Sequence, residues 1–285
     1  MSAREALRIA LASLGAYKLR TFLTVLGNVV AVSSVIAVVS LLDGMDLYVR
    51  REIAQEGSNV ATLRNVDELK FLTNMEEFLD SLHNPDITME DYHALREADL
   101  QTIERIAANR SGTAQVDRQG HSIQSVYVQG WTADYPHFQD LKLSSGRHFN
   151  PFEDAHSRPV AVIGSEVAQT LFRGKSPVGQ QVRVNGTHVE VIGVLAEQSG
   201  GLGDNPNLIV ILPLGQFFKI FGSRGSLTVR LRANEISHLE AAKEEVERVM
   251  RVRHRLRPAE KDDFAVTSAD RVVDLWKSIS RAIFT

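Results

Sequence analysis

The 285-residue sequence contains no cysteine. This absence excludes a disulfide framework, a thiolate zinc site, an iron–sulfur cluster and a cysteine nucleophile. An excess of one charge is also missing, because 32 basic and 35 acidic residues leave a formal net charge of −3. Without a global field to attract nucleic acid, we predict no nucleic-acid partner. A content of 44% hydrophobic and 24% charged residues is ordinary for a globular chain and excludes wholesale disorder or a multi-span membrane protein.

Motifs that carry chemistry are missing too. None of the nine histidines pairs with another at helical spacing beside a carboxylate, so no zinc-protease helix or facial triad can be written. Gly164-Ser165 lacks the second glycine of a nucleophile elbow, and Ser165 is better placed as a helix cap. The glycine-rich stretch 199–207 has no Lys-Ser/Thr pair and is predicted to be a surface loop. We therefore predict no catalytic, cofactor-binding or metal-binding residue, and a protein that is not an enzyme.

One long apolar run is present, from Phe22 to Leu42, and its 21 residues include no charge. At about 1.5 Å per residue, a helix over this run crosses a hydrocarbon core of about 30 Å. We predict a retained transmembrane helix over 22–42. A cleaved signal peptide, which has a shorter apolar region, and a buried helix of a soluble protein are the alternatives.

The charges around this run predict its orientation. Four basic residues precede it against Glu5 alone, whereas Arg50 and Arg51 follow it among several acids. Because cytoplasmic flanks carry the excess of Lys and Arg, we expect a cytoplasmic amino terminus and an extracytoplasmic remainder. Residues 1–21 combine an apolar face with basic residues, which predicts an interfacial helix contacting membrane lipid, and residues 271–285 are similarly amphipathic and lead back to the membrane. The four basic residues are Arg4, Arg8, Lys18 and Arg20.

Small residues recur at helical spacing within the apolar run, at Gly27, Ala31, Ser34 and Ala37. Such a stripe lets a second helix approach closely, which favours packing against a partner helix. Small residues are also common in spans that have no partner helix. The sequence alone leaves both interpretations open.

Beyond residue 50, short apolar strands alternate with a few helices. Thr88 and Asp91 have the spacing of a capping box, and Ser165 and Ser237 are predicted to begin further helices. Turn signals at Ser111-Gly112, Gln119-Gly120 and Asn185-Gly186 predict a β-meander followed by a hairpin. The predicted strands are Asn59–Leu63, Ile103–Asn109, Ala114–Arg118, Ile123–Gly130, Pro159–Ile163, Val182–Val184, Val189–Val191, Leu208–Leu212, Leu227–Leu231 and Phe264–Thr267.

Five arginines cluster near residue 250. Such a basic run is compatible with phosphate contacts, but it ends a predicted helix, where cations complement the helix dipole, and several glutamates precede it. We interpret the run as structural ion pairing. The arginines are Arg248, Arg251, Arg253, Arg255 and Arg257, and the glutamates are Glu240, Glu244, Glu245 and Glu247.

Several short segments together resemble the MacB/FtsX-type ABC transporter permeases. The entry to the first span, Lys18-Leu-Arg-Thr-Phe-Leu-Thr-Val-Leu-Gly27, is similar to that family, and the likeness continues in order over nearly the whole chain. The further segments are Gly57-Ser-Asn59, Ile87-Thr-x-x-Asp91, Ser145-Gly-Arg147, Val160–Gly164, Leu171-Phe172, Pro177-Val-Gly179, Val191-Ile-Gly-Val194, Arg251-Val-Arg-His254 and Asp263-Phe264.

The resemblance implies an α+β fold in which one N-terminal transmembrane helix is followed by an extracytoplasmic domain over 43–270. That MacB-like periplasmic core domain is expected to comprise a porter-like α/β subdomain, 58–121 plus 224–270, and an inserted β-rich subdomain, 122–222. Strands near Asn59, Leu227 and Phe264 have no sufficient partner nearby in sequence, which favours the same division.

The resemblance also implies a function. We expect a permease component of an efflux, lipoprotein-release or signalling system in the cell inner membrane, working with a separate ABC ATPase chain, as a homodimer or paired permease, and with a periplasmic adaptor protein. Permeases of this family continue into three further spans, so the chain ending at Thr285 is expected to be truncated. A single-span extracytoplasmic binding or adaptor protein and an anchored hydrolase are the rival hypotheses.

Overall fold

The computed structural model describes residues 18–56, 59–139, 141–198, 205–268 and 271. Contacts divide the chain into two units, one that includes the residues up to Arg50 and one that runs from Arg51 to Leu275. Most of a 39-residue helix, α1 (Lys18–Glu56), belongs to the first unit, so the helical prediction over 22–42 is confirmed. The helices predicted over 1–21 and 271–285 lie outside the described residues, apart from 18–21 and Arg271.

The second unit is built on one ten-stranded sheet. Its order is β10-β1-β9-β2-β3-β8-β5-β7-β4, with β6 paired to both β2 and β7. The β3–β8 and β5–β7 pairs are parallel and the other pairs are antiparallel. The strands are β1 (Val60–Arg64), β2 (Ile103–Arg118), β3 (His121–Trp131), β4 (Leu143–Gly146), β5 (Val160–Ile163), β6 (Gln181–Val184), β7 (Thr187–Leu195), β8 (Ile209–Pro213), β9 (Thr228–Ala233) and β10 (Ala265–Ser268).

Seven described helices accompany the sheet. They are α2 (Lys70–Thr73), α3 (Met75–Ser81), α4 (Met89–Glu97), α5 (Pro151–Ala155), α6 (Ser165–Phe172), α7 (Leu214–Phe221) and α8 (Leu239–Arg253). An apolar N-terminal helix followed by a β-rich domain with helices is the α+β fold class that the sequence predicted.

Three apolar cores stabilise the sheet. The helix-covered core joins β1 and β9 to α4 and α8, and includes Leu63 and Leu231. The second core joins β5, β7 and β8 to α6 and α7, and includes Ile163. The aromatic core contains Val60 and Val162, whose strand neighbours Ala61 and Ile163 belong to the other two cores, so it lies on the opposite face of the sheet. Its largest members are Trp131, Tyr135, Phe138 and Phe149.

The long strand β2 corrects one prediction. Ser111 and Gly112 do not turn the chain; they pair with Gln129 and Val128 of β3, so two predicted strands are one. The predicted meander is also wrong, because the other neighbour of β3 is β8, from much later in the chain. β2 pairs with β9 over Ile103–Asn109 and with β3 over Asn109–Arg118. Because this pairing continues through Ser111 and Gly112, their backbone groups find hydrogen-bond partners in the sheet and the chain does not turn there.

Two hairpin turns confirm the prediction. Gln119 and Gly120 connect β2 to β3 with φ of 47° and 84°, and Asn185 and Gly186 connect β6 to β7 with φ of 46° and 81°. Both central residues of a type I′ turn need positive φ, which asparagine and glycine tolerate. Register in both hairpins is therefore specified locally.

Of the three predicted helix caps, one is confirmed and two are wrong. The Thr88 hydroxyl accepts from the Asp91 backbone N–H, and the Asp91 carboxylate accepts from the Thr88 N–H, which confirms the capping box. Two predicted caps are wrong. Gly164 holds the N-cap of α6 while the Ser165 hydroxyl donates to Asn207, and a short 3₁₀ turn (Ile236–His238) precedes α8, so Ser237 does not cap it.

The sheet can be divided into two halves, of which the first comprises β10, β1, β9 and the part of β2 that pairs with β9. The second half comprises β3, β8, β5, β7, β4 and β6. The β2–β3 hairpin crosses the boundary predicted near residue 122, and the division into a porter-like and an inserted subdomain stays a prediction.

Candidate functional site

The apolar part of α1 is the first candidate. Over Lys18–Ser40 its mean hydropathy is 2.3, and none of this stretch is buried within the protein. Two of its hydroxyls are satisfied inside the helix, since Thr24 Oγ1 donates to the Arg20 carbonyl at 2.9 Å and Ser34 Oγ to the Ala31 carbonyl at 2.8 Å. Such internal bonding suits a helix surrounded by lipid, where polar groups find no water.

The small-residue stripe lies on this helix and leaves room for a neighbour. A Cβ built on Gly27 meets nothing within 4 Å, and Ser34 is exposed. Close approach of a second helix at this stripe is therefore sterically possible. Pairing through it stays a prediction.

Histidines in the sheet domain serve as hydrogen-bond partners. The Tyr135 hydroxyl lies 2.5 Å from His148 Nδ1, and His254 Nδ1 lies 2.7 Å from an Asp263 oxygen. Burial lowers the pKa of His148 and raises the pKa of Tyr135, so both groups favour their neutral forms. No group of three or more potential metal ligands occurs among the described residues.

Three of the five arginines near residue 250 form ion pairs, as interpreted, and their partners are not the glutamates of their own helix. Arg251 pairs with Asp262 and Arg257 with Glu260. Arg253 reaches α4, where it contacts Glu90 and, at 3.2 Å, Asp91. These partners come from other segments, so the run joins α8 to α4 and to the chain that leads into β10.

The base of the glycine-rich loop is fastened to α6. Asn207 Oδ1 accepts from the Ser165 hydroxyl at 2.9 Å and from the Gln198 backbone N–H at 2.8 Å, and its Nδ2 donates to the Gln198 carbonyl at 2.7 Å. Residues 199–204 of the predicted surface loop, which spans 199–207, lie outside the described residues. Ser165 thus positions the neighbouring chain and shows no nucleophile geometry.

An open polar cleft lies where two hairpins approach each other, with a volume of about 560 Å³. Arg183 pairs with Asp117 across it, and the Arg118 guanidinium lies 4.4 Å from the centre of the Phe172 ring. These cations already have partners, so the cleft offers limited attraction to an anionic ligand.

A half-buried carboxylate connects three segments. Asp154 of α5 accepts from the Ala133 N–H at 2.9 Å and also from the Leu214 N–H at the start of α7. Desolvation raises the pKa of Asp154 despite these bonds. It lies where the end of β3 meets α7, so its role is to hold this junction together.

Sequence reasoning missed one exposed feature, the arm, which comprises residues 69–82 with α2 and α3. Large apolar side chains on it face solvent, including Phe71 at 53% and Leu79 at 52% exposure. The repeat of apolar residues three and four apart was visible in the sequence and indicates a helix with one apolar face. Nothing local revealed that this face is uncovered.

Comparison with known proteins gives one family. A sequence model described as the MacB-like periplasmic core domain matches residues 21–249. The ABC transporter permease YknZ of Bacillus subtilis is 28% identical over 89% of this chain and 62% of its own length. The macrolide export ATP-binding/permease protein MacB of Azoarcus is 27% identical over 95% of this chain and 39% of its own. The chain thus spans about two fifths to three fifths of the length of these relatives.

Solved structures agree on the fold. The periplasmic region of MacB from Actinobacillus actinomycetemcomitans superposes with a TM-score of 0.65 at 18% identity, covering 81% of this chain and 98% of that one. The extracellular domain of the transporter YknZ from Gram-positive bacteria gives 0.56 at 19% identity, covering 74% and 100%.

Proposed function

The chain belongs to the family with the MacB-like periplasmic core domain, and on that premise we propose that it is a membrane-anchored permease component of an ABC-type transporter. The observation that carries the proposal is the family match over 21–249, which takes in the apolar helix and most of the sheet domain. In this role the chain performs no chemistry. It passes movement between a nucleotide-driven subunit and the extracytoplasmic domain.

We propose the efflux class in preference to lipoprotein release. Two of the similar proteins are named for export, of macrolides and of pyoverdine, and this supports the choice. Those relatives carry the ATP-binding part in the same polypeptide, whereas the YknZ relative is named as a permease alone. For this chain we propose a separate ATPase, a second permease copy and an extracytoplasmic adaptor as partners.

We propose an inner-membrane location with a cytoplasmic amino terminus and an extracytoplasmic sheet domain. The absence of cysteine makes this simple to test, because any introduced cysteine is unique. A membrane-impermeant maleimide added to intact cells should label an Asn185→Cys variant and spare a Ser2→Cys variant. The reverse pattern would contradict the orientation.

The function is tested by distance measurements on the complex that the chain forms with its ABC ATPase in lipid nanodiscs. Spin labels on Gln119→Cys in two permease copies should change their separation when ATP and magnesium are added. An ATPase variant that binds but cannot hydrolyse ATP is the control for turnover. A single-span binding or adaptor protein would give no nucleotide response and no complex, and either result would refute the proposal.

We also propose the division into a porter-like subdomain, 58–121 with 224–270, and an insertion over 122–222. The pairing of β1 with both β9 and β10 supports it, since those strands come from the two separated segments. A protease site placed at Ser223, between α7 and β9, tests the idea. The nicked pieces should elute together in native buffer and separate in denaturant.

A further inference from the structure

Strand pairing closes part of the sheet into a barrel. The pairs β2–β3, β3–β8, β8–β5, β5–β7, β7–β6 and β6–β2 form a complete ring. Every strand of the ring contributes to the second core, for example through Val116, Val128 and Val184, so this core fills the barrel. The contact between β2 and β6, the seam, joins the last strand of the ring to the first.

The seam is short. Its strand pairing involves only Val116 and Asp117 of β2. Asn185 extends the seam, because its backbone N–H donates to the Gln115 carbonyl at 3.0 Å and its Oδ1 accepts from the Gln115 N–H at 3.2 Å. On the other side of Asp117, the two hairpins separate around the open polar cleft. Asn185 is therefore one of the few residues that hold the seam closed.

The turn that carries Asn185 is open to a chemical reaction. Asn185 is the only asparagine in the sequence that precedes a glycine, Gly186. Glycine has no side chain to hinder attack by its own backbone nitrogen on the asparagine amide. Both residues are exposed, and a Cβ built on Gly186 would meet nothing within 4 Å, so water and base reach the turn freely.

We propose that Asn185 is a site of deamidation and that this modification opens the seam. The backbone nitrogen of Gly186 gives its proton to a solvent base and attacks Cγ of Asn185. The new C–N bond closes a succinimide ring, while the side-chain amide group takes up a proton and leaves as ammonia. Water then adds to either ring carbonyl and opens the ring, which yields aspartate or isoaspartate. The reaction consumes one water, releases one ammonia and needs no oxidant.

The two products affect the seam differently. Aspartate keeps a carboxylate oxygen that accepts from the Gln115 N–H. Isoaspartate directs the main chain through Cβ, which adds a methylene to the turn and moves the carboxylate to Cα. The turn geometry, with φ of 46° at Asn185 and 81° at Gly186, then no longer matches the two strands. Isoaspartate should therefore remove both hydrogen bonds to Gln115.

The folded turn also controls the reaction rate. While the Gln115 N–H holds Oδ1 of Asn185, the amide carbon is kept from turning toward the Gly186 nitrogen. Attack thus requires local opening of the seam. Asp117 and Arg183 form an ion pair beside the same position, so its removal should make opening more frequent. This proposal does not depend on the transport function.

The test uses the full chain in lipid nanodiscs, aged in warm, mildly alkaline buffer beside a synthetic peptide of residues 181–190. Peptide mapping by mass spectrometry detects the change from amide to acid, and electron-transfer fragmentation separates isoaspartate from aspartate. Asn234, an exposed asparagine that precedes Glu235, is the internal control in the same digest. Hydrogen exchange at residues 115–117 measures the seam, and an Asn185→Asp variant is the reference for the aspartate product.

We expect deamidation at Asn185 in the folded chain, slower than in the peptide and faster than at Asn234. Asp117→Asn should accelerate it about two- to fivefold, as expected for loss of a surface ion pair. Exchange at 115–117 should show a fast population that grows with the isoaspartate content, whereas Asn185→Asp should exchange like the wild type. An unmodified Asn185, a rate equal to that of the peptide or of Asn234, no acceleration by Asp117→Asn, or unchanged exchange at 115–117 would each overturn the proposal.

Discussion

The two halves of the sheet are built in different ways. In the first half, β1 lies between β9 and β10, strands that follow it by more than 160 residues in the chain. In the second half, β6 and β7 form a tight hairpin, and β5 is connected through α6 and β6 to β7, with which it pairs. The first half therefore depends on pairing across most of the domain, whereas the second combines a local hairpin with pairs such as β3–β8 that join less distant segments. Each has its own core, and the aromatic core on the opposite face belongs to both.

The two halves can therefore form at different times during folding, although one core contributes to the stability of both. Local hairpins form without the entropic cost of closing a long loop, whereas β1 must wait for the end of the domain. The aromatic core then links the two. Four predictions test this difference between the halves, in order of decreasing expected effect on stability.

The largest effect is expected in the shared aromatic core. Phe138 is 1% exposed and lies beneath the Arg232 guanidinium of β9. Phe138→Ala should lower the free energy of unfolding by about 3–5 kcal/mol, because it leaves a cavity. Hydrogen exchange should accelerate in both β9 and β5. Phe152→Ala, at a site 63% exposed, is the control and should cost little.

Smaller and more confined effects are expected in the separate cores. Leu63→Ala in the helix-covered core and Ile163→Ala in the second core should each cost about 2–5 kcal/mol. Exchange should accelerate mainly in β1, β9 and β10 for the first variant, and mainly in β5, β7 and β8 for the second. Uniform acceleration in both variants would show that the halves unfold as one unit.

The contact between β3 and α7 gives the third prediction. A Cβ on Gly130 would lie 2.3 Å from Phe217 Cβ, and α7 contributes Leu214 to one core and Phe217 to the other. Gly130→Ala must displace the helix and should cost about 1–3 kcal/mol, measured by chemical unfolding. Gly120→Asn is the matched control, since a Cβ there meets nothing within 4 Å and asparagine tolerates positive φ. Equal stability of the two variants would argue against a tight contact.

The smallest effect concerns pH. Burial raises the pKa of Asp154 above its unfolded value, so the folded protein holds this proton more tightly than the unfolded chain does. The contribution of this group to stability should therefore fall as pH rises from the ordinary pKa through the raised one. Asp154→Asn keeps an acceptor for the Ala133 N–H and removes the titration. The stability difference, wild type minus variant, should decrease over that range in thermal melts, and a constant or increasing difference would contradict the assignment.

Prediction from sequence succeeded where neighbouring residues decide the structure. The Asn185-Gly186 turn and the Thr88 capping box need only their own backbone conformations and side chains. It failed where a distant partner decides. Ser111 and Gly112 resemble a turn until β3 pairs with them, and Ser165 resembles a cap until Asn207 accepts its hydroxyl.

The two candidate surfaces, the apolar part of α1 and the arm, differ in the same way. The apolar run of α1 was predictable, because length and composition alone define it. The arm was not, because its apolar repeat is that of any surface helix. Only the structure reveals which side of the arm faces inward, because Glu77 and Ser81 line a cavity together with residues 261–265.

The uninterrupted course of β2 has a mechanical consequence. Its 16 residues cover roughly 50 Å, with one end hydrogen-bonded to β9 and the other to β3 and β6. Because β2 is paired to both halves of the sheet, it couples the position of one half to that of the other, although the pairing shifts register between Ile103 and Arg105 and between Ala114 and Val116. A tilt of a few degrees at its β9 end displaces the β6 end by several ångström, without any local unfolding along the way.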